Sequence, residues 1–280
     1  MRLGGTIVGE FRNAGEWEPL LVESRFRAVT APFSCRTPRE EVDEYCAVAR
    51  KHDVVIAELG VWNNPLDPDP DAAREALAYA KGQLALADAV GIPCCVNIVG
   101  STGTAGWDAA DPANFAPETY ARIVAYLREI IDEVRPTRAF YCIEPMPWMV
   151  PDSPDAYLQL LRDVDRPQFA AHMDFVNMIN CPRRYLAPEA FIEECFGKLA
   201  PHIKSTHIKD TRMHPTRLTT LIEEVSPGEG ALDYAGVLRI LARWLPEDAP
   251  VLLEHMTTAE EYRRAYDYVA GKAAEAGVSI

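Results

Sequence analysis

The chain has 280 residues, 48% of them hydrophobic and 25% charged, a composition that supports one large core and excludes a disordered or fibrous protein. Its formal net charge of -14 repels phosphate backbones, which disfavours a nucleic-acid partner, and no run of lysine or arginine supplies a local basic groove. Seven cysteines without CxxC spacing do not form a disulfide framework. No apolar run approaches the roughly 18 residues of a membrane span, and the first residues lack the apolar core of a signal peptide. A reduced, cytoplasmic protein with no membrane contact is the expectation.

In chain order, residues 5–9 and 27–31 are predicted as two short strands. Residues 54–59 form a third, which runs into an Asn63-Asn64-Pro65 turn. After Pro70, Leu77, Ala80, Leu84 and Ala87 share a helical face, and Gly91 ends the helix. Residues 92–98 are the next strand. Tyr120, Ile123, Val124, Leu127, Ile131 and Val134 then recur at helical spacing, with Pro136 closing the run. A strand at 139–144 precedes a helix through 155–161, a strand at 169–174 precedes a helix at 189–199, and a strand at 203–208 leads into a long loop. A helix at 233–244, a strand at 251–254 and a helix at 259–270 complete the pattern. About eight strands alternating with helices imply parallel pairing and a closed (β/α)₈ barrel, an α/β fold expected to occupy residues 1–280 as one domain. A doubly wound open sheet fits less well, because no Gly-rich phosphate turn is present.

The last four predicted strands each bring a potential metal ligand to the C-terminal face of the barrel: Glu144, Asp174, His207 and Glu254. Isolated acidic residues at strand ends commonly orient loops. Four ligand types on four successive strands demand a stronger cause, because buried carboxylates need a cation or hydrogen bonds to offset desolvation. Three carboxylates and one imidazole suit one divalent ion, Mn²⁺ or Mg²⁺ first and Co²⁺ or Zn²⁺ next.

Glu144 in Cys-Ile-Glu-Pro, Asp174 in His-Met-Asp-Phe-Val-Asn, His207 in Thr-His-Ile-Lys-Asp, Glu254 in Leu-Leu-Glu-His and the stretch Pro227-Gly228-Glu229-Gly230 before Asp233-Tyr234 together resemble the xylose-isomerase-like sugar isomerase/epimerase superfamily. The resemblance implies a small sugar or keto-sugar substrate. It also implies a metal that fixes a carbonyl and a neighbouring hydroxyl, and an opposed pair, Glu144 and Glu254, that removes and returns the adjacent proton. Ketose 3-epimerases of this kind carry a histidine where Asn177 stands and a glutamate where Val150 stands. A lyase or dehydratase acting on an oxidised glycoside or keto-inositol shares the first step. The catalytic subunit of C-glycoside deglycosidases is similar in this respect and works with a small partner chain, so the resemblance leaves open a homo-oligomer or a partner subunit. A related class of abasic-site endonucleases uses a histidine-rich multi-zinc centre, which six histidines and an acidic chain fit poorly. A non-catalytic sugar-binding barrel would not need both glutamates.

Around this centre the candidate substrate residues are His172, Asn177, Lys209, Arg212, Glu58 and Trp62. His172 shares the strand face of Asp174. Arg212 offers a fork for a substrate oxygen or a phosphate. Trp62, like Trp148, offers an indole face to a sugar ring, and Asn97 sits at a comparable strand end. Cys142 shares the face of Glu144 one layer deeper and reads as core packing. His255 is placed by strand alternation on the face opposite Glu254.

Overall fold

The computed structural model describes residues 1–280. The eight barrel strands are β1 (Arg2–Gly5), β2 (Ala28–Thr30), β3 (Val55–Gly60), β4 (Cys94–Asn97), β5 (Phe140–Ile143), β6 (Phe169–Asp174), β7 (Ile203–Ile208) and β10 (Pro250–Leu253). They pair in parallel in that order, and β10 closes the barrel between β7 and β1. Outside lie α1 (Ala14–Ser24), α2 (Arg39–Lys51), α3 (Pro70–Val90), α4 (Pro117–Val134), α5 (Pro154–Val164), the short α6 (Pro182–Tyr185), α7 (Pro188–Leu199), α8 (Tyr234–Trp244) and α9 (Ala259–Ala276).

Local chemistry sets these boundaries. In α3, Asp69 caps the first turn, Pro70 occupies its opening position and Gly91 leaves the helix with φ 82°, a conformation glycine adopts without strain. In α9 a capping box joins Thr258 and Glu261. In α4 the apolar stripe Ile123, Leu127, Ile130 and Ile131 is buried against the strands, as the 3.6-residue period requires. Every residue of β6 is buried, because a parallel strand in a barrel is covered on both faces. Inside the barrel Cys142 packs with Cys94, Val96 and Ala170 as a free thiol.

Two elements differ from expectation. The first strand lies at Arg2–Gly5 rather than 5–9. Its Gly4 faces β2 so closely that a Cβ there would stand 1.6 Å from the Ala28 carbonyl oxygen. Gly4→Ala is therefore expected to cost stability at or above the upper end of the ~1–3 kcal/mol typical of overpacking, read as a lower urea midpoint; an unchanged midpoint would show that β1 and β2 can move apart freely. The second difference is the connection after β7. In place of a plain loop, β8 (Asp210–Met213) and β9 (Ile222–Val225) form an antiparallel hairpin at the C-terminal face of the barrel.

Candidate metal centre and active-site cavity

The barrel gathers one ligand atom each from Glu144, Asp174, His207 and Glu254 within 4.8 Å of one another. Asp174 ends β6 and lies in register with His207 on β7, while Glu144 and Glu254 directly follow β5 and β10. Side chains 144, 174 and 207 are almost wholly buried. The His207 Nδ1 atom faces Glu144 Oε1 at 3.3 Å and Glu254 Oε1 at 3.1 Å.

The opposite ring nitrogen is held from below. His207 Nε2 donates to Glu58 Oε2 at 3.0 Å, and Glu58 Oε1 accepts from His172 Nε2 at 2.9 Å and from Ser205 Oγ. Glu58 is 1% exposed. Burial alone would raise its carboxyl, but the flanking His207 and His172 overcome that and hold it well below the usual range. A carboxylate bound to one ring nitrogen leaves the other aimed at the ligand cluster, the arrangement that orients metal-binding histidines. His207 itself, despite burial, is held protonated by Glu254, Glu58 and Glu144, a proton that a metal would displace.

Glu58→Gln keeps the shape and reverses the logic. The new amide would present its N–H₂ to His207 Nε2 and demand the tautomer that turns a proton toward Glu144 and Glu254. Metal affinity is expected to fall about 10–100-fold with the fold intact, measured by chelator competition alongside circular dichroism. Unchanged affinity would show that Glu58 does not set the ring.

Lys209, 1% exposed, places its Nζ 2.7 Å from Glu254 Oε2, 2.8 Å from Asp174 Oδ2 and 3.1 Å from Glu224 Oε2. Burial opposes its charge, but Asp174 and Glu254 keep it an ammonium. The Asp174 contact is a close ion pair in which Oδ2, though buried, has no well-aligned hydrogen bond. Burial pushes the Asp174 carboxyl up to about 7 although Lys209 pulls it down. For Glu254 the balance reverses: His207 and Lys209 outweigh burial and hold its carboxyl well below the usual range. Three carboxylates and an imidazole nitrogen, with Asp174 Oδ2 lacking an aligned hydrogen bond, are a donor set that fits a hard or borderline divalent ion.

The two sequence motifs near β7 meet in space. The Asp210 carboxylate accepts from the backbone N–H groups of Gly228 (3.1 Å), Gly230 (3.2 Å) and Leu232 (3.1 Å). A Cβ on Gly230 would lie 2.1 Å from Asp210 Oδ1, and Gly228 has φ 92°. Only glycines let the turn close around the carboxylate. Tyr234 donates to the Lys209 carbonyl at 2.8 Å, which fastens the segment carrying His207 and Lys209.

Above the ligands opens a cavity of about 590 Å³ whose floor includes Glu58, Glu144, His207 and Glu254. Asn177 lines it too, donating from Nδ2 to Pro145 O at 3.0 Å and to Glu144 Oε1 at 3.3 Å, and from its backbone to Asp174 Oδ1 at 2.9 Å. Trp62 lines the wall at φ 47°, its indole over Gly60, where a Cβ would meet Trp62 Nε1 at 2.0 Å. Phe33, Tyr79, Trp107 and Tyr262 extend this aromatic wall.

Three expected substrate residues do not reach the cavity. His172 is fully buried beneath His207, edge to face with its ring at 4.1 Å between centroids. Lys209 is spent on the carboxylates. Arg212 points outward from β8, half exposed, 3.3 Å from Glu223 Oε2. Glu58 reaches the floor, but both its oxygens are committed to partners. Asn97 is fully buried, its side chain bonded to Asn63, and Trp148 donates to Asp108 O at 2.7 Å at the outer edge of the mouth. His255 corrects the alternation argument. β10 stops at Leu253, His255 takes φ 60°, and its ring turns into the cavity, 3.1 Å from Glu254 Oε1 and 2.7 Å from Glu224 Oε1.

No curated protein matches the chain in sequence. Among solved structures, a xylose isomerase-like TIM barrel protein from Mycobacterium smegmatis in complex with magnesium superposes with a TM-score of 0.70 at 15% identity, over 98% of this chain and 97% of that one. D-psicose 3-epimerase from Clostridium cellulolyticum does so at 0.69 and 12%, over 97% and 99%, and endonuclease IV from Thermus thermophilus at 0.72 and 15%, over 98% and 100%. At these identities the superpositions speak to fold alone. The family model described as xylose isomerase-like TIM barrel matches residues 21–272, and with the closed barrel in place the chain belongs to that family.

Proposed function

We propose that the protein is a divalent-metal-dependent isomerase or epimerase that acts on a small sugar or keto-sugar. The observation that carries this reading is the pair Glu144 and Glu254, which reach one buried ligand cluster from β5 and β10 at the floor of an aromatic-walled cavity. A bound divalent ion would supply Lewis acidity toward a substrate carbonyl and offset the negative charge that develops on it. Glu144, Asp174, His207 and Glu254 would hold that ion, Mn²⁺ or Mg²⁺ suiting three oxygens and one nitrogen best.

The chain's own groups perform the proton transfers. One glutamate takes the proton beside the carbonyl, and the other, across the cluster, delivers one to the opposite face. Asn177 restrains Glu144, and Lys209 with His255 restrains Glu254, so each carboxylate keeps its direction through the cycle. The aromatic wall accepts the apolar face of a sugar ring. The magnesium complex and the sugar epimerase among the structural neighbours support the reading. The endonuclease neighbour does not carry over to this chain, because no lysine or arginine lines the cavity and the net charge is -14.

Elemental analysis of protein purified without chelator is expected to find one divalent ion per chain. A panel of sugars and keto-sugars followed by proton NMR in D₂O is expected to show deuterium uptake at the carbon next to the carbonyl. A lyase would share that first step and show loss of water or a leaving group instead. Absence of metal after reconstitution with Mn²⁺, Mg²⁺, Co²⁺ or Zn²⁺ would overturn the reading.

A further inference from the structure

A cation already stands against the ligand cluster. Lys209 directly follows β7, and the residue is 1% exposed. Its Nζ meets one oxygen from each of three carboxylates on three different elements. Asp174 Oδ2 comes from β6 at 2.8 Å, Glu254 Oε2 from the end of β10 at 2.7 Å, and Glu224 Oε2 from β9 at 3.1 Å. Three carboxylate oxygens converging on one buried point make a cation site, and the chain fills it with its own compact ammonium.

Two of these carboxylates face both ways. Glu254 presents Oε1 to His207 Nδ1 at 3.1 Å, inside the ligand set, and Oε2 to Lys209. Asp174 belongs to the same set, yet its Oδ2 is aimed at Nζ, fully buried and without an aligned hydrogen bond. Glu224 stands outside the set. It gives Oε1 to His255 Nδ1 at 2.7 Å and Oε2 to Lys209. Its side chain is 35% exposed and borders a further cavity of about 650 Å³, which offers an ion a way in.

Charge points in the same direction. Glu144, Asp174 and Glu254 carry three negative charges when ionised, of which one divalent ion balances two and the Lys209 ammonium the third. Without the lysine a buried carboxylate would be left uncompensated, with Glu224 adding a further negative charge beside it.

We propose that Lys209 fills a second, latent divalent-cation site formed by Asp174, Glu224 and Glu254, and that its ammonium limits the native centre to a single ion. This rests on the metal reading of the ligand cluster and adds to it a separate site with a residue of its own, Glu224.

The test uses the full chain and Mn²⁺ alone. Native protein, Lys209→Ala and the double variant Lys209→Ala with Glu224→Gln are equilibrated with Mn²⁺, metal is counted against protein, and electron paramagnetic resonance reports whether the ions interact. The native chain is expected to hold one ion with the spectrum of isolated Mn²⁺. Lys209→Ala is expected to hold two with the spectrum of a coupled pair, since paired catalytic metals stand about 3.5–4 Å apart. Adding Glu224→Gln is expected to weaken the second ion about tenfold or more and to leave the first. Thermal unfolding gives a second reading. Lys209→Ala is expected to be less stable than the native chain without metal, and Mn²⁺ to raise its midpoint by more than it raises the native one. A single ion in Lys209→Ala, a second ion that is not coupled, two ions in the native chain, or a Lys209→Ala chain that stays unfolded in Mn²⁺ would each overturn the latent site. One ion in both the native chain and Lys209→Ala removes the latent site alone, whereas no ion in the native chain removes the metal reading and the latent site with it.

Discussion

Asp174→Asn and His207→Ala are expected to lose metal and turnover together. Asp174 is fully buried with one carboxylate oxygen lacking an aligned hydrogen bond. An amide there can still offer an oxygen, but it also brings N–H groups into a space shared with the Lys209 ammonium 2.8 Å away. Like-polarity donors then face each other in a low dielectric, and the negative charge that an ion needs is gone. His207→Ala removes the only nitrogen of the cluster and leaves the Glu58 carboxylate, previously flanked by two imidazoles, with one. Losing one partner of a buried ion pair costs about 3–5 kcal/mol, so this variant is expected to lose stability as well as metal. Metal analysis, turnover and urea unfolding on the same samples decide the matter. Normal metal content with normal turnover in either variant would show that the ligand set is wrong.

Glu144→Gln and Glu254→Gln are expected to abolish turnover by several orders of magnitude. General acid–base catalysis contributes about 10²–10⁴-fold, and the disturbed ligand geometry adds to that. Exchange of the substrate C–H with D₂O discriminates further. If the two carboxylates work from opposite faces, each variant keeps one base and exchanges one epimer only. Exchange from both epimers, or full turnover in either variant, would rule out an opposed pair. The surroundings of the two differ: Glu254 contacts Lys209, His207 and His255, while Glu144 contacts His207 and the Asn177 amide. Neutralising Glu254 strands more positive charge, so of the two substitutions it is expected to disturb metal binding more.

The strands that carry the ligands were the most legible part of the chain. Phe169–Asp174 and Ile203–Ile208 appear in the sequence with their full extents, each a short segment lying between helical stretches and carrying a ligand-type residue at or next to its C-terminal end. Strand β1 was displaced in the reading because Gly4 and Gly5 lack the side chains that announce a strand, while the β-branched run that follows them looks like one. The hairpin was hidden for a different reason: Ile222–Val225 carries two glutamates on a half-exposed surface, and no tight Asn-Gly or Asp-Gly turn joins its strands. His255 was lost because strand alternation was extended beyond the strand's end, where a left-handed residue redirects the chain. Tyr79, Trp107 and Tyr262 belong to separate helices and loops, so nothing local indicates that barrel closure sets them around one mouth. The role of Glu58 was visible only as an acidic strand end; that it grips two histidines and a serine from across the barrel is a product of tertiary structure.

The hairpin between β7 and α8 also separates two design problems that most binding sites entangle. Its turn spans residues 214–221, and Leu218 at the tip is fully in solvent. Lengthening such a turn is cheap, since doubling a flexible loop costs only about 0.6 kcal/mol. The ligand cluster, by contrast, is anchored on barrel strands and on the glycine turn that wraps Asp210. Insertions, deletions or swapped sequences at 214–221 could therefore reshape what the mouth admits while the chemistry beneath stays fixed, which makes this short stretch a natural cassette for evolving new substrate range.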